Sequence, residues 1–474
     1  LALELLETGV AHSGEPFKTL CLHELALNGS PARRFAAIDT LRRSSSDLLY
    51  SAEDIDTVYT LALAETGRYD ELPGGPVAFF ARVELSDRLV AAGERIPPGV
   101  YPEFDSIFRF RRLVYNRVYG SAWDAGKELF THDLPELYYR SMLSDLGRAA
   151  LYSGVEPGEP LSLLEKLEEQ AASLPVPAEN IRAVSYMLSF YRGRLSARLG
   201  PAYNRVAGEY FLSARESAER PFDQDVALWY LLDLSSENQD KLLQDIVEFA
   251  PEWNDPSFFS ELVDRLIASL VKSRNRDALL RLYTSMDTYA DRETKAQIAY
   301  VAAKSGVLPE DKAKKALETA FSEDHSSLYY RMLASADLDS VPTAPSVIYS
   351  GGSPVSSGSD NGYSLNAVLR GFLTYGLPDQ LYPFARNYYH DVPVSIAIEL
   401  ADELSSIGQH TAALRLMVLA VKADKDAITD EQLIRLYPRP WLDEISAAAD
   451  RFGIPEYLLF ALVRTESFFN ASVT

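Results

Sequence analysis

Leu262–Met286 reads LVDRLIASLVKSRNRDALLRLYTSM, and its spacing decides the fold class. Apolar residues recur three and four positions apart, as in Leu262, Leu266 and Leu270, while Asp264, Arg265 and Lys272 fall on the opposite face. That period is helical, since 3.6 residues per turn bring such positions into one stripe. The same pattern runs through SLLEKLEEQAASL from Ser162 and DKAKKALETAF from Asp311. Alternating, strand-like runs closed by Asn-Gly or Asp-Gly turns are hard to find. Proline and glycine punctuate the chain at short intervals (IPPGVYPEF from Ile96, GVEPGEP from Gly154, LPVPAEN from Leu174), which suits helices of modest length joined by tight turns.

Parts of this pattern recur. LYYRSMLSDL from Leu137 and LYYRMLASADL from Leu328 are close copies, and LSFYRGRLSARL from Leu188 is a looser one. A helical hairpin cannot bury its apolar face alone, whereas a stack of hairpins shares one core. The segment IAIELADELSSIGQHTAALRLMVLAVKAD, from Ile396, resembles a tetratricopeptide repeat. Gly408 falls at its inter-helix turn, Ala413 and Ala420 are the small residues of a close helix pair, and Lys425 replaces the usual terminal proline. The expected fold is all-α, an α-solenoid or ring of degenerate tetratricopeptide-like helix pairs.

A length of 474 residues predicts two or three domains. The Ser/Gly/Pro-rich stretch VPTAPSVIYSGGSPVSSGSDNGY, Val341 to Tyr363, reads as a linker, because it can bury little and is costly to order. It carries no Gly-Lys-Ser/Thr and follows no strand, so it is not a phosphate cradle. The expected organisation is a helical domain over 1–340, the linker over 341–363, a smaller helical domain over 364–436, and a further domain beginning at 437.

With 47% hydrophobic and 24% charged residues the balance is that of a globular protein, and no apolar run is long enough to cross a bilayer. The formal charge of −22 repels phosphate backbones, so nucleic acid is not an expected partner. The lone Cys21 excludes an internal disulfide or a multi-cysteine metal site and reads as a small core residue. His23-Glu24 opens like a zinc-protease motif, but HELAL lacks the second histidine one turn later. Asn28-Gly-Ser and Asn470-Ala-Ser match glycosylation acceptors, a pattern short enough to recur by chance. The many tyrosines read as helix-pair core.

The chemistry concentrates in YPRPWLDEISAAADRFGIPEYLLFALVRTESFFNASVT, Tyr437 to Thr474. Leu442, Ile445, Ala448 and Phe452 form one stripe; Gly453 sits where a helix C-cap takes a left-handed conformation, and Pro455 suits the first turn of the next helix. On that helix Leu459, Leu462 and Glu466 share a face, so Glu466 projects from an apolar stripe near a helix C-terminus. Burial and the negative end of the helix dipole both disfavour a charged carboxylate there and would raise its pKa, as a general acid requires. An ordinary glutamate at a fraying helix end fits the same spacing.

This segment resembles the opening of the catalytic domain of soluble lytic murein transglycosylases of the large periplasmic type. The family's Tyr-Pro-x-Pro-aromatic step is matched by Tyr437, Pro438, Pro440 and Trp441, and its Gly-hydrophobic-Pro/Asp turn by Gly453, Ile454 and Pro455. Its Leu-x-x-Ala-Leu/Ile-Val/Ile-Arg-x-Glu-Ser-x-Phe series is matched by Leu458, Ala461, Leu462, Val463, Arg464, Glu466, Ser467 and Phe469. The resemblance implies that 437–474 holds the first helices of a lysozyme-like domain, after a ring of helix pairs and a linker domain. It implies Glu466 as the single catalytic acid and base, and Ser467 as a residue positioning Glu466 or the substrate N-acetyl group, with no metal and no cofactor. The implied substrate is peptidoglycan, cleaved between N-acetylmuramic acid and N-acetylglucosamine with formation of a 1,6-anhydro ring. Other cell-wall enzymes are implied as partners of the helical domain, and the periplasm as location, with any export signal outside this numbering. The family's later Gly-Leu-Met-Gln and tyrosine motifs are absent, so the resemblance implies an incomplete catalytic domain and an inactive 474-residue chain. The alternative function is a non-catalytic helical scaffold of the bacterial envelope.

Overall fold

The computed structural model describes residues 2–13, 17–43, 50, 52–171, 178–324, 328–339, 365–387, 392–423 and 429–471. The expected linker over 341–363 lies outside the described residues, as does Lys425. The described residues form 26 α-helices with a few single turns of 3-10 helix and no strand, so the fold is all-α. No described helix is long and apolar enough to cross a membrane.

The chain divides into two compact units, Leu1–Ala278 and Leu279–Thr474, with the division inside the helix Arg276–Met286. Within each unit, helices pack chiefly on their neighbours and next neighbours in sequence. The core follows that order. In the first unit, one cluster joins Leu22, Ile38, Leu41 and Val58, a second Leu63, Phe80, Phe104 and Phe108, and a third Phe110, Trp123, Leu146, Tyr191 and Phe211. The clusters follow one another in chain order, so burial proceeds along the chain.

In the stretch Leu262–Met286 the stripe is realised: Leu262, Val263, Leu266, Ile267 and Leu270 are buried on the helix Ser260–Ser273. That helix ends at Arg274, which takes a left-handed φ of 56° and donates its N–H back to the last turn.

Large rings reach the helix axes where glycine leaves room. A methyl on Gly193 would lie 2.7 Å from the ring of Phe211, closer than real methyl contacts, so these two helices meet only because residue 193 has no side chain.

The two LYYR copies differ in structure. In the first, Leu137 and Tyr138 are buried in a 3-10 turn before the helix Arg140–Tyr152. In the second, Tyr329 begins the helix and is 60% exposed. The buried Asp324 accepts N–H bonds from Leu328, Tyr330 and Arg331, and so caps that helix start. Cys21 is free and half-buried on the helix Phe17–Asn28, short of the fully buried position expected of it. In the second unit, Val394–Ser406 and His410–Ala423 pack as a hairpin through Gly408, whose φ is 82°, with Ala413 and Ala420 buried.

Candidate functional site

The segment from Tyr437 forms the two helices Leu442–Phe452 and Glu456–Ser467. Gly453 takes φ 63° and its N–H closes the first helix, while Ile454 bonds back to Ala449 at 3.0 Å. Pro455 stands one position before the second helix, as its N-cap. Ile445, Phe460 and Phe469 close a small core with Leu414, and Val463 packs at its edge.

This core turns the helices differently from the stripes read in the sequence. Of Leu442, Ile445, Ala448 and Phe452, only Ile445 is fully buried; Leu442 is 43% and Phe452 67% exposed. The second helix buries the side bearing Phe460 and Val463, which leaves Leu458 and Leu462 more than half exposed. Glu466 lies at the border of that open face and is exposed, so the burial expected for it is absent. It has no hydrogen-bond or ion-pair partner among the described residues.

Ser467 does not reach Glu466. Its hydroxyl donates to the Val463 carbonyl at 2.9 Å, the bond a helical serine makes one turn back. The Ser467 hydroxyl is thus engaged with its own helix and not with Glu466.

Arg464, matched in the motif but given no role by the sequence, ties the segment together. Its Nε donates to the Leu436 carbonyl at 2.9 Å, and its guanidinium lies 4.6 Å from the centre of the Tyr437 ring. Residues 436–437 and the acidic motif are thus joined across one helix pair. Burial pushes the Tyr437 phenol up, and the Arg464 charge opposes that shift. At the other end of the helix, Glu456 accepts the Ser446 hydroxyl and pairs with Arg439, whose guanidinium sits 5.2 Å from the Phe460 ring.

Three bulky residues here take left-handed backbone: Trp441 at φ 52°, Phe468 at 51° and Phe469 at 57°. Each such conformation costs on the order of 1 kcal/mol or more and persists only where packing enforces it. Phe469 is buried and its ring lies 6.2 Å from Trp441, which in turn meets His410 edge-on at 5.3 Å. The turn that ends the helix is therefore clamped immediately after Glu466 and Ser467. Among the described residues no group of histidine, cysteine and carboxylate side chains could hold a metal.

Compared with known proteins, the chain matches no family model and no curated sequence.

Proposed function

We propose that this chain belongs to a peptidoglycan lytic transglycosylase of the bacterial periplasm, with Glu466 as its single acid and base. On this reading the helix pairs form a solenoid and Tyr437 opens a lysozyme-like domain. The observation that carries it is the setting of Glu466: an unpaired carboxylate beside an open apolar face, held by a strained, aromatic-clamped helix end within the ordered motif residues.

Glu466 first donates its proton to the glycosidic oxygen between N-acetylmuramic acid and N-acetylglucosamine, and the bond from that oxygen to C1 of the muramic sugar breaks. The resulting carboxylate takes the proton of the muramic C6 hydroxyl, whose oxygen bonds to C1 and closes the 1,6-anhydro ring. Glu466 ends protonated as it began, and no water is consumed. Because the nucleophile belongs to the same sugar, the second carboxylate of ordinary glycosidases is not needed.

The exposure of Glu466 and the engagement of Ser467 with backbone favour the second reading, a helical scaffold that has lost catalysis. Mass spectrometry of digested peptidoglycan separates the two. A chain extended through the Gly-Leu-Met-Gln and tyrosine motifs should yield anhydromuramic ends, one water lighter than hydrolytic ends, and Glu466→Gln in it should lose that activity by about 10²-fold or more. Anhydro products from the variant at the unsubstituted rate would remove Glu466 from the mechanism; no products from the extended chain would leave the scaffold.

A further inference from the structure

We propose that the helices Arg140–Tyr152 and Ala178–Arg198 present a binding surface for a carboxylate-bearing glycopeptide, built from Arg148, Tyr152, Arg194 and Arg198. Arg148 and Tyr152 are four residues apart on one helix, and Arg194 and Arg198 are four apart on the other, so each pair shares a face. The two helices pack together, and the pairs meet. Arg194 Nη2 lies 3.5 Å from the Tyr152 hydroxyl, and the Arg198 guanidinium lies 5.7 Å from the centre of the Tyr152 ring. The Tyr119 ring leans on Tyr152 at 5.2 Å.

The patch carries a local excess of positive charge on a protein of net charge −22. Some arginines of this unit are matched to carboxylates, as Arg112 is to Glu94, Arg220 to Asp223 and Arg265 to Asp233. Arg194 and Arg198 have no carboxylate within ion-pair distance among the described residues. Arg194 is held instead by the rings of Phe190 and Tyr230, at 5.7 and 4.8 Å, and Arg198 by the Leu151 carbonyl. The acid beside the patch, Asp145, is buried and engaged by Arg111 at 2.9 Å, with Arg148 further off at 3.7 Å. The field converges on one hydroxyl: the Arg194 hydrogen bond, with the charges of Arg194, Arg198 and Arg148, holds the Tyr152 phenol below its ordinary value.

Guanidinium forks held by rings and backbone are pre-organised for a carboxylate, and the half-exposed ring of Tyr152 offers a flat face to a sugar or an apolar side chain. The identity of the ligand, a peptidoglycan stem peptide with its free carboxylates, rests on the transglycosylase reading. The surface itself does not.

The test is fluorescence anisotropy with the full chain and a labelled muropeptide bearing free stem-peptide carboxylates. The same muropeptide with amidated carboxylates is the comparison ligand, and inorganic phosphate is the competitor. The double variant Arg194→Gln/Arg198→Gln should bind about tenfold more weakly or worse, as should the amidated muropeptide to the parent. Arg205→Gln, which removes an exposed arginine paired with Glu209, should bind as the parent does. If the double variant loses its helical circular dichroism, Tyr152→Leu keeps both arginines and should still weaken binding severalfold. Equal binding by parent and variants, equal binding of the amidated ligand, or displacement by phosphate at matched concentration would each overturn the proposal. Glu466→Gln should keep this binding. Binding of the muropeptide by the full chain, with no anhydro products from a chain extended through the Gly-Leu-Met-Gln and tyrosine motifs, would therefore sink the catalytic reading alone.

Discussion

The ring of Tyr191 fills the space beside Gly147: a methyl at position 147 would lie 2.2 Å from it. Tyr191 is buried and its hydroxyl meets that of Ser144 at 3.3 Å, so the ring has nowhere to go. Gly147→Ala is therefore expected to lose about 1–3 kcal/mol through overpacking, although alanine is the better helix former. Urea unfolding checks this, and a variant as stable as the parent would show that the helices can separate at no cost.

Glu65 joins two arginines. It lies 2.6 Å from Arg34 and 2.6 Å from Arg88, which also donate to the carbonyls of Ala26 and Leu27. Arg34 is 6% exposed, so Glu65→Ala would leave a buried guanidinium without its counter-charge. A loss of about 3–5 kcal/mol is expected, against under about 1 kcal/mol for Asp56→Ala, whose partner Arg42 is solvated. Paired thermal melts of the two variants distinguish these cases.

The His23 ring stacks on Tyr50 at 3.7 Å, and burial lowers its pKa from 6.5 to about 4, partly opposed by the Asp54 charge. As pH falls, the unfolded chain protonates His23 first, so the unfolded state binds more protons. The contribution is complete above about pH 6.5 and is lost between there and about pH 4. The melting temperature should fall over that window, and less steeply in His23→Gln. Identical pH profiles for the two proteins would exclude His23 as the group responsible.

Arg464→Ala removes both the Leu436 bond and the contact with Tyr437. A buried-edge carbonyl then loses a charged donor, worth about 1.5–3 kcal/mol. Hydrogen exchange should accelerate in the helix Glu456–Ser467 while the first unit keeps its protection. Unchanged exchange in that helix would mean that Phe460 and Phe469 hold it unaided.

Helix content was legible in the sequence, because a period of 3.6 between residues such as Leu262, Leu266 and Leu270 is local information. So was the stop at Gly453, where a left-handed cap needs no more than the residue itself and its own helix. Which side of a helix is buried is a different kind of fact. Leu459, Leu462 and Glu466 do share a face, yet Phe460 and Phe469 meet Leu414 from another helix, and that contact turns Leu462 and Glu466 outward. The tie from Arg464 to Leu436 and the arginine–tyrosine patch spanning Arg148 and Arg194 likewise join residues 28 and 46 positions apart. Periodicity records which side chains travel together; only the packed neighbour decides whether they travel into the core or into water.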